Sequence, residues 1–399
     1  MHDRIYICHT FYHVYVACLK EFHIRHKVGM KAQISDNCSY KNDAQISARS
    51  DVDSRHVGGN RGCAVNSYGG ASLVLSTMSN NFGTLKERAV SCGIFDEVFE
   101  YDEKLPTYFP ELAVLHTDTG SLFHNMVNRI KYCRRLGQLE EKYVPVDFKE
   151  YKDIYVFCDS DPIGYYLNYR KIKYHAVEDG LDCLKYYDTA RYDNSGHFKL
   201  KAWMAARGLI FIQNGYGRYC IDMEVNDIAA LEYPCKKYVE QPREALVSEL
   251  TQDDKDMMLK LFIEDIEELR KTLADNSDKP RILVLSEPLC DLKTREKIFR
   301  DIIAKYGNVN GQQAVVMIKQ HPRDLLDYEP VFPDAVILPG TFPMEMLNFI
   351  EGLHFNRVVS VYTVVDSIRF VDEKIYLGDD FMDKYEAPEI HRQNEQIKD

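Results

Sequence analysis

Short apolar blocks alternate along this chain with stretches in which apolar residues return every three or four positions. The blocks at 4–9, 72–75, 97–101, 154–158, 172–177 and 219–223 predict strands. Between them the periodicity predicts helices over 11–26, 84–92, 121–139 and 199–207. Strands alternating with helices predict a parallel sheet covered on both faces. Residues 38–70 interrupt the rhythm with a polar run rich in Gly, Ser, Asn and Asp, and predict a mobile surface insertion. Residues 253–274 predict one long charged amphipathic helix, followed by a polar stretch to 280. The alternation then restarts, with strands at 281–285, 314–318, 335–338, 358–361 and 374–377 and helices at 292–306, at 344–351 and between the last two strands. The fold class is therefore α/β, with two Rossmann-like domains, 1–275 and 276–399, facing across a cleft.

A chain of 399 residues exceeds one ordinary core, which agrees with two domains. No apolar run approaches the ~18–20 residues needed to span a bilayer, and the opening residues lack the apolar centre of a secretory signal. The eleven cysteines contain no Cys-x-x-Cys pair, so reduced thiols in a cytoplasmic protein are expected rather than disulfides or a zinc site. The net charge of −12 argues against nucleic acid as a partner, while a small anionic ligand needs only a local basic pocket.

Two segments place ionisable side chains just beyond predicted buried strands, where open α/β sheets bind ligands. Glu178-Asp179-Gly180 follows the strand ending at Val177. Gly180 can adopt φ > 0 and turn the chain, and one of the two carboxylates can take a proton from an attacking hydroxyl. A solvated turn is the simpler account of the same tripeptide. In Lys319-Gln320-His321-Pro322-Arg323, Pro322 keeps His321 extended, so Lys319, His321 and Arg323 alternate onto one side as a phosphate clamp. A basic strand end is the plain alternative. Thr341 and Pro343 predict a helix start that places Glu345 near the N-terminus, as a dipole-stabilised acid or an acceptor for ribose hydroxyls. Ser360 and Thr363 follow a central strand as caps or as phosphate contacts. Asp291 is a second candidate base or a helix N-cap before Leu292. There is no P-loop, no dinucleotide fingerprint, no HExxH and no GxSxG elbow. The nearest approach to a metal-binding DxD is Asp159-Ser160-Asp161.

The ordered set of Thr10-Phe11-Tyr12-His13, the segment 79–88, Glu178-Asp179-Gly180, 319–323, 342–347 and 360–363 resembles the bacterial sialyltransferases of glycosyltransferase family 52, and their polysialyltransferase relatives. The resemblance implies a GT-B fold and inverting, metal-independent transfer of sialic acid from CMP-sialic acid to a sugar hydroxyl of a cell-surface glycan, with no cofactor. It implies Glu178 or Asp179 as base, with Asp291 as rival, and His321 acting on the CMP phosphate beside Lys319. Pro322 and Arg323 belong to the same donor segment, Glu345 would take the ribose, and Ser360 and Thr363 the phosphate. The Ser/Thr pair usual at that last point is Tyr362-Thr363 here, which departs from the family pattern. The partners implied are a nucleotide-sugar donor and a glycan acceptor; the class also allows attachment to the inner face of a membrane and a homodimer. Another nucleotide-activated donor (a UDP-sugar or a CDP-polyol phosphate) and a non-catalytic glycan-binding role are the alternatives.

Overall fold

The computed structural model describes the backbone of residues 2–43, 70–274 and 279–392, and the side chains of all of these except 28–43. Parallel strands covered on both faces are apolar throughout rather than alternating. That composition places β1 (His2–Cys8), followed by helix α1 (Phe11–Asp43), at the centre of the first sheet. The chain continues through β2 (Ala71–Ser76), α2 (Leu85–Ser91) and β3 (Glu97–Tyr101) to a helical hairpin, α3 (Pro110–His116) and α4 (Leu122–Glu140). Then come β4 (Tyr151–Phe157), α5 (Pro162–Arg170) and β5 (Tyr174–Val177), the short helices α6 (Cys183–Tyr186) and α7 (Thr189–Asp193), and α8 (Phe198–Ala205). Strands β6 (Cys220–Val225) and β7 (Tyr238–Glu240) close the sheet, whose order β3-β2-β1-β4-β5-β6-β7 is parallel throughout. It reverses direction between β1 and β4, as doubly wound nucleotide-binding sheets do.

Three helices lead into the second sheet: α9 (Arg243–Ser248), α10 (Gln252–Phe262) and α11 (Ile266–Ala274). Beyond them lie β8 (Arg281–Leu285), α12 (Leu292–Tyr306), a small β9–β10 ribbon (Asn308–Val309, Gln312–Gln313), β11 (Val315–Lys319), β12 (Val336–Leu338), a 3₁₀ turn (Met344–Phe349), β13 (Phe355–Ser360) and β14 (Val371–Tyr376). The main sheet here runs β12-β11-β8-β13-β14, again all parallel, with its reversal between β8 and β13. One apolar cluster joins the two halves. It holds Phe11, Val14 and Leu19 of α1, Met258 and Phe262 of α10, Leu283 and Leu285 of β8, and Phe342 and Met346.

Besides short elements that the pattern did not show, four expected elements differ from this architecture. The single helix expected over 253–274 is two: Ile263 leaves helical geometry at φ −112° and ψ 112° to bury its side chain, and Glu264 pairs with Arg88 of α2 at 2.6 Å. No helix follows β13, because the N–H groups of Val361, Tyr362 and Thr363 turn onto the Glu287 carboxylate instead. Pro343, not Thr341, stands at the N-cap of the turn carrying Glu345, and that turn is 3₁₀ and ends at Phe349. The first helix continues past His26 to Asp43, and most of the insertion expected at 38–70 falls outside the described residues.

Candidate active site

The carboxyl ends of both sheets open onto one cleft of about 1060 Å³. Its first wall carries Thr10, Phe11 and Tyr12 from the end of β1, Asn80 after β2, and Asp179 and Gly180 after β5. Its second carries Ser286 after β8, residues 319–323 after β11, then Phe342, Glu345 and Thr363. Strand ends at a topological switch point are where such sheets place their ligands.

On the first wall the two adjacent acids separate completely. Glu178 turns back into the protein, 2% exposed, and accepts from the Asn226 N–H at 2.8 Å and the Leu184 N–H at 3.3 Å. Burial raises its pKa, with those two N–H groups working the other way. Asp179 turns outward, with 54% of its side chain exposed. One carboxylate oxygen, Oδ1, accepts from His13 Nε2 at 2.6 Å and from Cys158 Sγ at 2.7 Å. Both donors grip the same oxygen, which orients the carboxylate and leaves Oδ2 free of them. Desolvation in the cleft wall works to raise its pKa, but the hydrogen bond from His13, then that from Cys158, hold it well below the ordinary carboxylate range. Gly180 is not in the left-handed region; the positive φ in this turn is that of Asp182, at 55°.

His13 is fully buried, stacked on Phe157 at 4.6 Å, and its Nδ1 accepts from the His9 N–H at 3.0 Å. That bond fixes the tautomer with the proton on Nε2, facing Asp179. Behind it, His9 pairs with buried Glu103 at 2.7 Å, and Glu103 also accepts from Ser76 Oγ and from the Ile163 N–H. Burial disfavours the charged form of His9, yet Glu103 overcomes this and brings the pKa up to about 9. His9, His13 and Cys158 offer three ligand-type atoms within 4.8 Å of one another. The His13 Nε2 proton faces Asp179, and its Nδ1 is engaged by the His9 N–H. Of the Asp-Ser-Asp segment, Asp159 is buried and engaged by Tyr174 Oη and the Asn214 N–H, which leaves it unsuited to ligate a metal.

On the second wall, the His321 N–H donates to Ser286 Oγ at 3.0 Å, and Ser286 donates to Asp324 at 2.7 Å. Asp324, with no exposed side-chain surface, is held by Arg295 of α12 at 2.6 Å and by Tyr328 Oη at 2.7 Å. His321 Nδ1 accepts from the Arg323 N–H at 3.1 Å, which leaves the ring proton on Nε2. Burial, then Arg323 and Lys319, push its pKa down to about 4. Lys319 donates to the Pro339 and Gln320 carbonyls and lies 4.3 Å from the Phe342 ring centre; burial brings its pKa down to about 7, against the pull of Glu345. The expected trio of cations is thus a neutral N–H donor, an amine whose charge burial disfavours, and the Arg323 guanidinium at the rim. Glu345 lines the cleft with Ser367 Oγ at 3.2 Å, and burial raises its pKa.

Besides Glu178, two expected site residues are not where the sequence reading put them. Asp291 caps α12, accepting from the Lys293 and Thr294 N–H groups on the exposed surface, and does not line the cleft. Ser360 is buried with its hydroxyl donated to the Thr363 carbonyl at 2.7 Å. The N–H groups expected to take phosphate after β13 are occupied by Glu287, although Thr363 itself reaches the cleft. Sequence reasoning named neither Glu287 nor the supporting Ser286 and Arg295. It quoted His13 only within a motif; the signal that was available is the pair of histidines four apart at the end of the first strand, His9 and His13.

Two Rossmann-like domains whose strand ends face a common cleft, one wall with the Asp179 carboxylate and the other with a basic His-Pro segment, are the architecture of the GT-B fold. The sequence pattern of glycosyltransferase family 52 matches residues 103–374, and the chain belongs to that family. An uncharacterized protein of Haemophilus influenzae is 28% identical over 132 residues, a match spanning 30% of this chain and 41% of that protein's length. Among solved structures, the 2,6-sialyltransferase of a Photobacterium species, crystallised with CMP and lactose, aligns at a TM-score of 0.50 with 9% identity, covering 94% of this chain and 71% of that one. The α/β-galactoside α-2,3-sialyltransferase of Photobacterium phosphoreum aligns at 0.48 with 11% identity, over 94% and 90%.

Proposed function

We propose that this enzyme is an inverting sialyltransferase that moves sialic acid from CMP-sialic acid to a sugar hydroxyl of a cell-surface glycan. The observation that carries the reading is the placing of Asp179 and His321 on opposite walls of one cleft, the first ionised and the second a neutral N–H donor. Membership of family 52 supports glycosyl transfer. The CMP and lactose bound to the Photobacterium neighbour supply the donor and acceptor chemistry taken over here.

In this reading the free oxygen of Asp179 takes the proton of the acceptor hydroxyl as that oxygen attacks the anomeric carbon. The bond from that carbon to the phosphate oxygen breaks on the opposite face, inverting the centre, and CMP departs with the electron pair. His321 Nε2–H donates to the leaving phosphate, and Lys319 and Arg323 meet its charge. In this reading Glu345, which lines the cleft, accepts from the ribose, and Thr363, the one hydroxyl of the 360–363 segment on the lining, meets the donor. His13 and Cys158 act through Asp179, fixing which oxygen faces the acceptor.

The test is CMP release from CMP-sialic acid with lactose as acceptor, and with UDP-hexoses and CDP-glycerol as rival donors. Asp179→Asn and His321→Ala should each lower kcat by about 10²–10⁴-fold, while Asp179→Asn still binds CMP in calorimetry. Turnover of a UDP-sugar alone would overturn the donor assignment, and an unchanged rate in His321→Ala would remove the imidazole from the mechanism.

A further inference from the structure

A second cavity, of about 720 Å³, opens beside the cleft and has no part in the transfer step. Its volume is within the ~300–1,000 Å³ usual for small-molecule sites. Helix α6 is the partition between the two. The turn that leads into it, Gly180 and Leu181, lines the cleft, while Leu184 lines the cavity and donates its N–H to Glu178, the neighbour of Asp179. Asp179 and Leu184 are five residues apart, so the cavity wall stands within ~17 Å of Asp179 even with the chain extended. Tyr186 ends α6, and its ring centre lies 6.2 Å from that of Tyr376 in the other domain, so the helix stands at the mouth of the cleft.

The lining is preorganised. Leu184 and Leu231 pack with Tyr238 against the core of the first domain and give the cavity an apolar floor. Tyr233 is held by the Arg191 guanidinium, which lies 3.7 Å from its ring centre and 4.7 Å from that of Phe198. Asp188 is held as well, accepting from the Arg191 N–H at 3.0 Å at the N-cap of α7. Among the described residues, the Lys185 amine, the Glu232 carboxylate and the Tyr238 hydroxyl have no hydrogen-bond partner, and all three line the cavity. A fixed aromatic ring over an apolar floor, with free donors and acceptors around it, suits the apolar face and the hydroxyls of a sugar ring. An anionic sugar would meet two carboxylates, Asp188 and Glu232, against the single lining amine.

We infer that this cavity is a second acceptor subsite, which binds a neutral sugar of the acceptor glycan beyond the one that reacts at Asp179. The inference rests on the glycosyl-transfer reading and extends it: the enzyme prefers an extended neutral oligosaccharide to a disaccharide.

The test gives the full chain two acceptors, lactose and lactose lengthened at its reducing end by two glucose units. The longer one should have a kcat/KM about tenfold higher, with the difference in KM. Lys185→Ala, Glu232→Ala and Tyr238→Phe should each lower that ratio about threefold, and the Lys185→Ala/Glu232→Ala pair should bring it near one. Lys185 and Glu232 are exposed, so the pair leaves the fold intact. Calorimetry with the longer acceptor and no donor is a readout that needs no reaction. It should show binding that the pair weakens about tenfold, while CMP binding stays as in the parent. If CMP-sialic acid is not turned over, the donor assignment fails and this binding still decides the subsite. Lactose turned over as well as the longer acceptor would spare the transfer reading and overturn the subsite. A ratio that the variants leave alone, or no binding of the longer acceptor, would overturn it too. Equally tight binding of the same tetrasaccharide with glucuronic acid as its last sugar would overturn the assignment to neutral sugars.

Discussion

Asp179 owes its protonation state, and His321 its orientation, to neighbours far away in sequence. The oxygen of Asp179 is held by a histidine 166 residues earlier, and His321 sits over a Ser286–Asp324–Arg295 chain anchored in α12. This is why the sequence could leave Glu178 and Asp179 undivided as bases. Both follow Val177, and only the contacts of Asn226 and Leu184 with one, and of His13 with the other, separate them. The same holds for Asp291, whose capping role and candidate catalytic role have one sequence signature. The His-Pro segment was more legible, because Pro322 and the alternation after β11 fix which side chains reach the cleft without any remote partner. Lys319 yields a pH prediction. Its pKa is about 7, below the unfolded value of ~10.4, and a phosphate bound beside it as proposed would favour the charged form. At pH 8 CMP binding should therefore take up close to one proton, and affinity should fall as pH rises above 7. Below about pH 6 Lys319 is already charged and its uptake disappears. Calorimetry in buffers of different ionisation heat measures this, and Lys319→Arg, charged throughout, should remove it.

At the level of elements, strands were read more faithfully than the turns between them. The bounds of β3, β8 and α12 coincide with the apolar pattern, whereas α5 went unseen because its Gly-Tyr-Tyr-Leu-Asn-Tyr run has no polar face to mark a helix. The break after Phe262 was equally hidden, since it depends on Ile263 finding a place in the core and Glu264 finding Arg88. Helix α5 begins immediately after the Asp159–Asp161 turn, and Gly164 makes that approach sterically feasible. A Cβ at Gly164 would stand 1.9 Å from the Asp159 carbonyl oxygen and 2.7 Å from Phe211 Cζ. Gly164→Ala should cost about 1–3 kcal/mol in urea unfolding and disturb the support of His9 through Glu103 and Ile163. At Gly180 the same Cβ meets nothing closer than 3.6 Å, so Gly180→Ala should leave the unfolding midpoint within about 0.5 kcal/mol of the parent.

As a whole molecule, the chain was legible as two α/β halves, and the change of sheet falls between Glu240 and Arg281. What composition does not reveal is how apolar the junction is. Leu283, Met317 and Phe342 of the second half share a core with Phe11 and Val14 of the first, and α10 packs on both α2 and the 3₁₀ turn. Interdomain surfaces of that kind couple folding. Calorimetry should show one unfolding transition for the full chain, and a fragment of residues 1–275 should aggregate or expose apolar surface to a dye; two resolved transitions would contradict the shared core. The buried junction also separates two inheritances. The strands share a common core, while the groups that line the cleft stand on strand ends and on the turns and helix starts that follow them. On the proposed reading, changes on the rim of β1, β4 and β5 would retune acceptor preference and changes on the rim of β8 and β11 nucleotide preference, one loop at a time and without disturbing the shared core.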